Sequence, residues 1–548
     1  MESMPLRKIK IYGLSLGHQV LTKTINSKLE GGLIIKLPFY FYILILLFLL
    51  IFLINFFYET KNYSLVFDNI LKQSIKFTFF QAIFSTIISI IFGFILSICL
   101  YLSNIKRKII TTFLNFFFIA PVLFISYGVI FIHGSNGLIQ NIFHFINLDF
   151  SYTFFGIVGI IYVTSYFNIA LSANYFFRKL TNIPENYLKL MSANKISLYI
   201  ALIKCLKPVV FNNLSILITI VLIFCISNFT IIYIFASSPL LTTIEMAIYQ
   251  KISFEANISE AVIYGFLQTI IIILILIPTL KMRNNFQMIT LKISENYRIY
   301  RSNLLSSFFL IIFFIYFFSP CLVVIKGLYN FNIDLLLSKN TIQSFLYSVI
   351  IAFSSLCIAL MIAISSLFMA RRLHENNSYL SNYVILSIFI ISFVPSISLS
   401  AILFMINVKL NFILPNFLIV AFINSFLLTP LIFLFLYPKF MENNTYEKLR
   451  VLQFNISALN RFLRIDFLKI KKELIIVSSS CFVLSMGDLT SITLFNSSNF
   501  KTVPYLISQL YSSYRYDDAF FILAIFVLFI VSFLYIVNSL AYKNVKTR

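Results

Sequence analysis

The feature that most constrains this chain is a succession of about twelve apolar runs, each roughly 20 to 28 residues long. A helix rises about 1.5 Å per residue, so each run is long enough to cross a hydrocarbon core of about 30 Å. The runs lie near 36–57, 78–102, 109–132, 153–176, 209–235, 261–281, 303–327, 344–370, 380–406, 412–437, 474–495 and 519–541. Lipid offers no hydrogen-bond partner to a backbone, so runs of this length are expected to be helices that pair their own N–H and C=O groups. Composition agrees: 60% hydrophobic residues, 11% charged residues and a mean hydropathy of +0.94 exclude a soluble domain. The expected fold class is therefore an all-α polytopic membrane protein with about 12 transmembrane helices.

The net charge of +23 acquires meaning from its distribution. With both termini in the cytoplasm, roughly 33 of the 42 lysines and arginines fall in cytoplasmic segments and about nine in external ones, as the positive-inside bias requires. The basic excess is an insertion signal, and no nucleic-acid partner is expected. The chain has 65 phenylalanines and no tryptophan, so Tyr and Phe must form any interfacial aromatic belt. Six cysteines (Cys99, Cys205, Cys225, Cys321, Cys357 and Cys481) fall mostly within the runs and read as packing residues. Four histidines (His18, His133, His144 and His374) show no paired spacing, so neither a metal nor a cofactor is expected. There is no G-x-x-x-x-G-K-[ST] loop and no clustered nucleophile and base. The expectation is a non-enzyme. The first apolar run follows about 35 polar and basic residues and precedes no small-residue cleavage site, so it is expected to remain as a span.

An internal repeat organises the runs. The stretch QFNISALNRFLRIDFLKIKKELIIVSSSCFVLSMGDLTSITLF, from Gln453 to Phe495, has a weaker copy from Ala193 to Phe235. Asn455 precedes Asp488 by the same separation that places Lys195 before Asn228. Gln73-Ser74 recurs as Gln343-Ser344; Ala120-Pro121 with Ser126 recurs as Val394-Pro395 with Ser400. Two tandem six-helix halves follow, at 36–281 and 303–548, after a cytoplasmic tail at 1–35 and joined by a basic cytoplasmic linker at 282–302. Each half starts on the same side, so the repeat is parallel and leaves a pathway between its halves. Pro121, Pro395 and Pro430 are expected as packing kinks.

Each half places a short amphipathic segment on the cytoplasmic side, between its fourth and fifth spans. Ile196, Tyr199, Leu202 and Ile203 form an apolar stripe in the first half; Ile456, Leu459, Phe462 and Leu463 form one in the second. Such a stripe can lie in the inner leaflet, helped by Arg461, Arg464, Lys471 and Lys472. Docking on a cytoplasmic partner explains in addition why both halves carry it at the same distance before the same span. Within the spans, Asp488 is the one carboxylate placed at depth, where an ionised group costs about 2.5–3.5 kcal/mol. Its repeat mate is Asn228, and Ser227 mirrors Gly487. Two roles are open: lining the pathway, or capping a local turn. External Glu245, Glu255, Glu260, Asp517, Asp518, Lys501 and Arg515 are expected in loops, as a docking surface or as solvated charge.

The cytoplasmic segments resemble the EAA loops of permease subunits of ATP-binding-cassette importers. Lys195 and Asn455 stand at the two Gly positions of that motif, and Lys189-Leu190-Met191 and Leu449-Arg450-Val451 stand where the triplets would be. Asn tolerates positive φ best among non-glycine residues, so a left-handed turn is expected at Asn455 and at Asn194. TTIEMAIYQKISFEANISEA (242–261), LSMGDLTSITLF (484–495), NFKTVPYLISQLYSSYRYDDA (499–519) and the terminal NVKTR sharpen the resemblance to the two-domain permeases that import thiamine and its phosphate esters. That resemblance runs from about residue 36 to the C-terminus. It implies a bacterial inner-membrane subunit with three partners besides the bilayer: a cytoplasmic ATPase dimer, a periplasmic thiamine-binding protein, and thiamine as cargo. It also implies coupling through Asn194, Lys195, Ile196, Tyr199, Leu202, Ile203, Asn455, Ile456, Leu459, Phe462 and Leu463. The path would run by Ser227, Asn228, Gly487 and Asp488, where a carboxylate favours a cationic thiazolium and an aromatic wall adds about 0.5–2 kcal/mol per contact. The alternatives are the same machine with ferric iron or a polyamine as cargo, an ion-coupled secondary carrier, and, third, a membrane-bound enzyme.

Overall fold

A computed structural model of the chain describes residues 39, 40 and 43, most of 68–281 and most of 304–546. The longest stretches outside the description are 1–38, 44–67, 201–210, 282–303, 377–393 and 442–457. The expected tail, the linker and nearly all of the first span therefore lie outside the described residues.

The first half contains α1 (Asn69–Leu102), α2 (Arg107–Ile119), α3 (Val122–His133), α4 (Ile157–Thr181), α5 (Leu214–Ile226), α6 (Phe229–Phe235), α7 (Ile244–Ser253) and α8 (Ile258–Lys281). The second contains α9 (Leu304–Phe318), α10 (Leu322–Tyr329), α11 (Lys339–Asn376), α12 (Ser396–Leu410), α13 (Asn416–Phe440), α14 (Phe467–Met486), α15 (Ile492–Phe495), α16 (Val503–Ser512) and α17 (Tyr516–Lys546). Among the described residues, the one β feature is an isolated bridge between Ser497 and Phe500. Among the described residues, eight helices are long and apolar enough to cross a membrane, or nine if α5 and α6, bent by 47°, form one span. The chain is an all-α polytopic membrane protein.

Inside each half, the helices are patterned the opposite way from those of a water-soluble protein. On α1 the buried face is Ser74, Thr78, Gln81, Ser85, Ser89 and Gly93, while Phe80, Ile83, Phe84, Ile87 and Ile91 face outward. On α11 the buried face carries Ser344, Ser348, Ser355, Ala359 and Ala363, and Ile342, Leu346, Ile350 and Phe353 point out. Lipid tails reward outward apolar groups, and small residues inside let backbones approach closely. Gly93 is the clearest case: a Cβ there would stand 2.5 Å from Ser172 Cβ and 3.0 Å from Ala173 N on α4.

The halves repeat one packing scheme. The long helix α1 packs along α4 and against α5, as α11 packs along α13 and against α14. α7 packs on α8, as α16 packs on α17. The N-termini of the short helices are held alike, since Ile244 N donates to Thr78 Oγ1 (3.1 Å) and Val503 N to Ser348 Oγ (2.8 Å).

The halves also cross. α9 lies on α1 and α3 lies on the turn Ser319–Cys321, while α12 lies on α7 and α8. Pro320 lacks an N–H, and Ser319 Oγ donates to the Tyr316 carbonyl (3.3 Å) that a helical residue there would have bonded. From α4, Tyr166 Oη donates to the neighbouring Phe317 carbonyl (2.7 Å). A proline break in one half is thus satisfied partly by the other, as membrane helices require.

Candidate functional site

Two places combine features not used by the packing scheme alone: the breaks in the polar spans, and the segment that enters α14.

At the second break two roles were open to Asp488 within the span expected at 474–495, and that span does not run as one continuous helix. α14 ends at Met486, and Asp488 turns the chain by accepting from Thr490 N (3.1 Å, Oδ1) and Ser491 N (3.2 Å, Oδ2). Ser491 Oγ lies 2.5 Å from Asp488 Oδ2 and 2.9 Å from Asn424 Oδ1, its single proton serving one of them. The turn-capping role is therefore present in the geometry. Asp488 is nevertheless half-buried, between the buried Gly487 and Leu489. In the first half the break falls at Ser227 and Asn228, both half-buried, and Asn228 Nδ2 donates to Thr164 Oγ1 (2.8 Å). Asn228 makes no side-chain cap bond of the kind Asp488 makes, and α6 resumes directly after it.

Three residues before each break is a polar node of three helices. Cys225 receives Gln81 Nε2 on its carbonyl (2.6 Å), and Thr86 Oγ1 (3.7 Å) and Asn168 Nδ2 (3.3 Å) on its sulfur. Ser485 takes the same place in the second half, 2.7 Å from Ser355 Oγ and accepting from Asn424 Nδ2 at 3.1 Å. The nodes fix the depth at which each span breaks, because sliding either helix by a turn would strand several buried polar groups.

The second break faces the other half. A Cβ on Gly487 would meet Pro121 Cβ at 3.1 Å, so the second break sits on the first half's proline turn between α2 and α3. A second crossing runs through side chains: Ser398 Oγ on α12 donates to Gln268 Oε1 (3.3 Å), and Gln268 Nε2 donates to Glu245 Oε1 (3.4 Å). All three are buried.

Glu245 corrects an expectation. It was placed among exposed loop charges, yet it is 2% exposed, because α7 folds inward against α8 and α12. Burial pushes its carboxyl up to about 8, against the Phe229 N–H and the Gln268 amide, which pull it down. The other external charges are already engaged. Buried Lys251 pairs with Glu255 (2.7 Å), Glu260 (2.8 Å) and Asp68 (3.7 Å). Burial pulls its ammonium down, and Glu255 and Glu260 outweigh burial and leave it raised. Asp518 pairs with Arg515 (2.5 Å), Asp517 with Lys326 (3.8 Å), and Lys501 donates to Gln509 (2.9 Å).

The segments expected on the cytoplasmic side are described in part. Lys195, Tyr199, Leu202, Ile203, Asn455 and Ile456 lie outside the described residues, and Leu459 is described only as helical backbone. Asn194 is exposed in a turn, with Nδ2 on the Leu190 carbonyl (2.9 Å), and Ile196 is half-buried. The left-handed turn expected at Asn194 is not formed: among the described non-glycine residues, only Asn147, Ala256 and Tyr514 have positive φ. The asparagine's own side chain closes the turn at ordinary φ instead.

In the second half, Ala458–Arg461 passes into a π-helical turn, Phe462–Asp466, that runs straight into α14. The two apolar residues of this turn point differently. Leu463 is 54% exposed, whereas Phe462 packs on Phe368 of α11, ring centroids 5.3 Å apart. Beneath them, Asp466 is buried against Arg371 of α11. Sequence reasoning named Glu245 but put it in an exposed loop, and it missed the Arg371–Asp466 pair. Arg371-Arg372 reads as an ordinary basic flank of a span, and no spacing links it to Asp466.

The comparisons with known proteins follow the same lines. No family model matches the chain, and no solved structure does. It is similar to the thiamine transport system permease protein ThiP of Haemophilus influenzae, 28% identical over 465 residues, 82% of this chain and 85% of the relative. The protein of the same name from Brucella abortus is 26% identical over 464 residues, 83% and 84% of the two chains. That from Escherichia coli is 21% identical over 490 residues, 88% and 91%. The chain is ThiP-like along more than four-fifths of its length.

Proposed function

We propose that this chain is the permease subunit of an ATP-binding-cassette importer that carries thiamine, and its phosphate esters, inward across a bacterial inner membrane. The carrying observation is the similarity to thiamine transport system permeases over more than four-fifths of the chain and of each relative. The duplicated, crossing halves fit a machine that alternates access by rocking one half against the other. The halves are taken as 36–281 and 303–548, with both termini cytoplasmic.

In this reading the chain does no chemistry of its own. ATP hydrolysis belongs to a separate cytoplasmic ATPase dimer, and cargo arrives on a periplasmic thiamine-binding protein. The ATPase pushes on two segments, residues 194–203 and 455–463. The second is better equipped to pass force on, because its π-helical turn is continuous with α14 and bonded to α11. The path runs by Ser227, Asn228, Gly487 and Asp488, at the two breaks.

The test is reconstitution of the full chain in liposomes with its ATPase and binding protein, followed by uptake of labelled thiamine. ATP-dependent thiamine uptake is the expected result. ATP-dependent uptake of ferric iron or a polyamine instead would keep the machine and overturn the cargo. Uptake indifferent to the ATPase and driven by an ion gradient would overturn the whole reading.

A further inference from the structure

We propose that the foot of the first half, where the start of α2 meets the end of α4, binds the phosphate of an anionic phospholipid of the inner leaflet, with Lys108 and Arg178 in the groove between the helices and Lys106 and Lys179 beside it. The proposal goes beyond the importer reading and takes from it only that this end of the half faces the cytoplasm.

Charge is the first observation. The segments of the first half expected on the cytoplasmic side, 103–108 and 178–213, carry nine lysines and arginines and one carboxylate, Glu185. The matching segments of the second half, 371–376 and 439–473, carry ten and five. The second half spends that acid at its own helix ends: Arg371 pairs with Asp466 (2.8 Å), and Lys439, in the last turn of α13, with Glu473 (3.7 Å). Arg178 and Lys179 stand in the corresponding last turn of α4. Among the described residues neither meets a carboxylate. Arg178 Nε donates to Asn174 Oδ1 (2.9 Å), and Lys179 lies over the Tyr175 ring, 5.6 Å from its centroid. An insertion signal requires basic residues on this side, but it does not require a guanidinium half-buried against a neutral amide, where its charge is poorly compensated.

Geometry is the second. α2 and α4 run antiparallel: Asn174 Nδ2 donates to Asn115 Oδ1 (2.6 Å), and further along α2 Phe117 meets Tyr166, earlier on α4, with ring centroids 5.9 Å apart. At about 1.5 Å per residue, this register brings Lys108 level with Thr181, and Arg178 level with Thr111. Arg178 shares the α2-facing side of α4 with Asn174, one turn away, and Lys108 shares the α4-facing side of α2 with Asn115, two turns away. Both cations therefore line one groove. No acidic residue stands in the first turn of α2. Lys106 and Lys108 are exposed and Arg178 and Lys179 half-buried, so the groove is open at its basic end.

The surroundings name the occupant. Ile109, one residue beyond Lys108, is exposed. Beside it runs α9 of the second half, which meets α2 through the stacked rings of Phe113 and Phe314, 6.5 Å apart, and leaves Phe308, Ile311 and Ile315 exposed. A soluble phosphate would satisfy the cations and leave this apolar wall bare. A phospholipid sets its phosphate on the cations and its chains along Ile109 and the outer face of α9. The inner leaflet supplies anionic headgroups, and basic pockets between spans on that side hold them. Because α2 leads into the Pro121 turn on which Gly487 rests, a lipid held at its foot bears on the helix that reaches the seam.

The test is native mass spectrometry of the purified full chain with equimolar phosphatidylglycerol and phosphatidylcholine of the same acyl chains. Wild type is expected to retain phosphatidylglycerol at least about tenfold better, and Arg178→Gln combined with Lys179→Gln to lower that preference at least about fivefold, as loss of two headgroup contacts predicts. Lys471→Gln combined with Lys472→Gln removes the same charge from the expected cytoplasmic side of the second half and should leave the preference within about twofold of wild type. Arg178→Lys keeps the charge and should keep most of the preference. A preference ratio is insensitive to a general folding defect, which lowers retention of both lipids together. No preference in wild type, or equal losses in the two double variants, would overturn the site. Complete displacement of phosphatidylglycerol by inorganic phosphate would also overturn it, by making the ligand a soluble anion. None of these outcomes involves transport, so the importer reading stands or falls separately on the uptake assay.

Discussion

Arg371 Nη1 stands 2.8 Å from Asp466 Oδ2, and both side chains are almost out of solvent. The same guanidinium donates through Nη2 to the Phe440 carbonyl and lies over the Phe440 ring, 3.6 Å from its centroid. One planar cation therefore joins the C-terminal ends of α11 and α13 to the turn that leads into α14. A lysine has neither the fork nor the flat face to make all three contacts.

Removing one partner breaks the buried pair at about 3–5 kcal/mol, a loss that Arg461, 3.9 Å from Asp466, softens when Arg371 is the one removed. Asp466→Leu is accordingly expected to lower the unfolding midpoint of the purified chain sharply, and Arg371→Met to lower it less. The double variant should regain most of the loss, because an apolar pair of similar size carries no stranded charge. Thermal unfolding of the four proteins in one detergent gives the coupling directly, and additive losses would show that the pair is not coupled.

Close approach makes a second pair of outcomes. At Gly93 an added methyl group overlaps Ser172 and the Ala173 backbone, so Gly93→Ala must push α1 and α4 apart, at about 1–3 kcal/mol. At Gly487 the nearest neighbour is Pro121 Cβ at 3.1 Å, across the seam, and a shift of a few tenths of an ångström accommodates the methyl. Gly487→Ala should unfold near the wild-type midpoint yet slow uptake, since the strained contact is one between the moving halves. The ratio of uptake rate to folded protein separates the two.

Asn424 serves both the node and the break, donating to Ser485 Oγ (3.1 Å) and lying 2.9 Å from Ser491 Oγ. Asn424→Ala strands polar groups in both places, and the expected loss is about 1–3 kcal/mol. Asp488→Asn should be milder for the fold, because an amide oxygen still accepts one of the two turn N–H groups, but it removes the charge. Unfolding midpoints in the order wild type, Asp488→Asn, Asn424→Ala check this, and the reverse order of the two variants would contradict it.

What was legible in the sequence follows from how strongly each feature is enforced. Spans such as 344–370 were plain because lipid demands long apolar stretches, and the helices at 69–102 and 339–376 overrun them only through polar ends such as the Asp68 cap. The repeat was plain because both halves keep polar side chains at the same depth. The stop at Met486 was not: an apolar count runs through Gly487 and Asp488 undisturbed, while the turn depends on a carboxylate folding back onto two N–H groups. Glu245 was misplaced for a related reason. The segment at 242–261 is polar enough to read as an external loop, and only the packing of α7 against α8 and α12 carries its carboxylate inside.

Leu463 and Phe462 provide the sharpest separation of folding from coupling. They are adjacent in a turn of five residues, and the π-helical spacing turns one out and the other in. Phe462 contacts Phe368 and Phe467, at ring separations of 5.3 and 6.2 Å, so truncation to Ala costs about 1–2 kcal/mol of packing. Leu463 is 54% exposed, and Leu463→Asp should change stability by less than about 0.5 kcal/mol. If the exposed leucine is where a cytoplasmic ATPase grips the second half, Leu463→Asp abolishes ATP-driven uptake with an unchanged unfolding midpoint. Phe462→Ala, in contrast, lowers the midpoint and leaves uptake per folded molecule largely intact. Pull-down of the ATPase by each variant decides the cause: Leu463→Asp must lose the partner, and retention at wild-type levels would move the docking surface elsewhere on the cytoplasmic side.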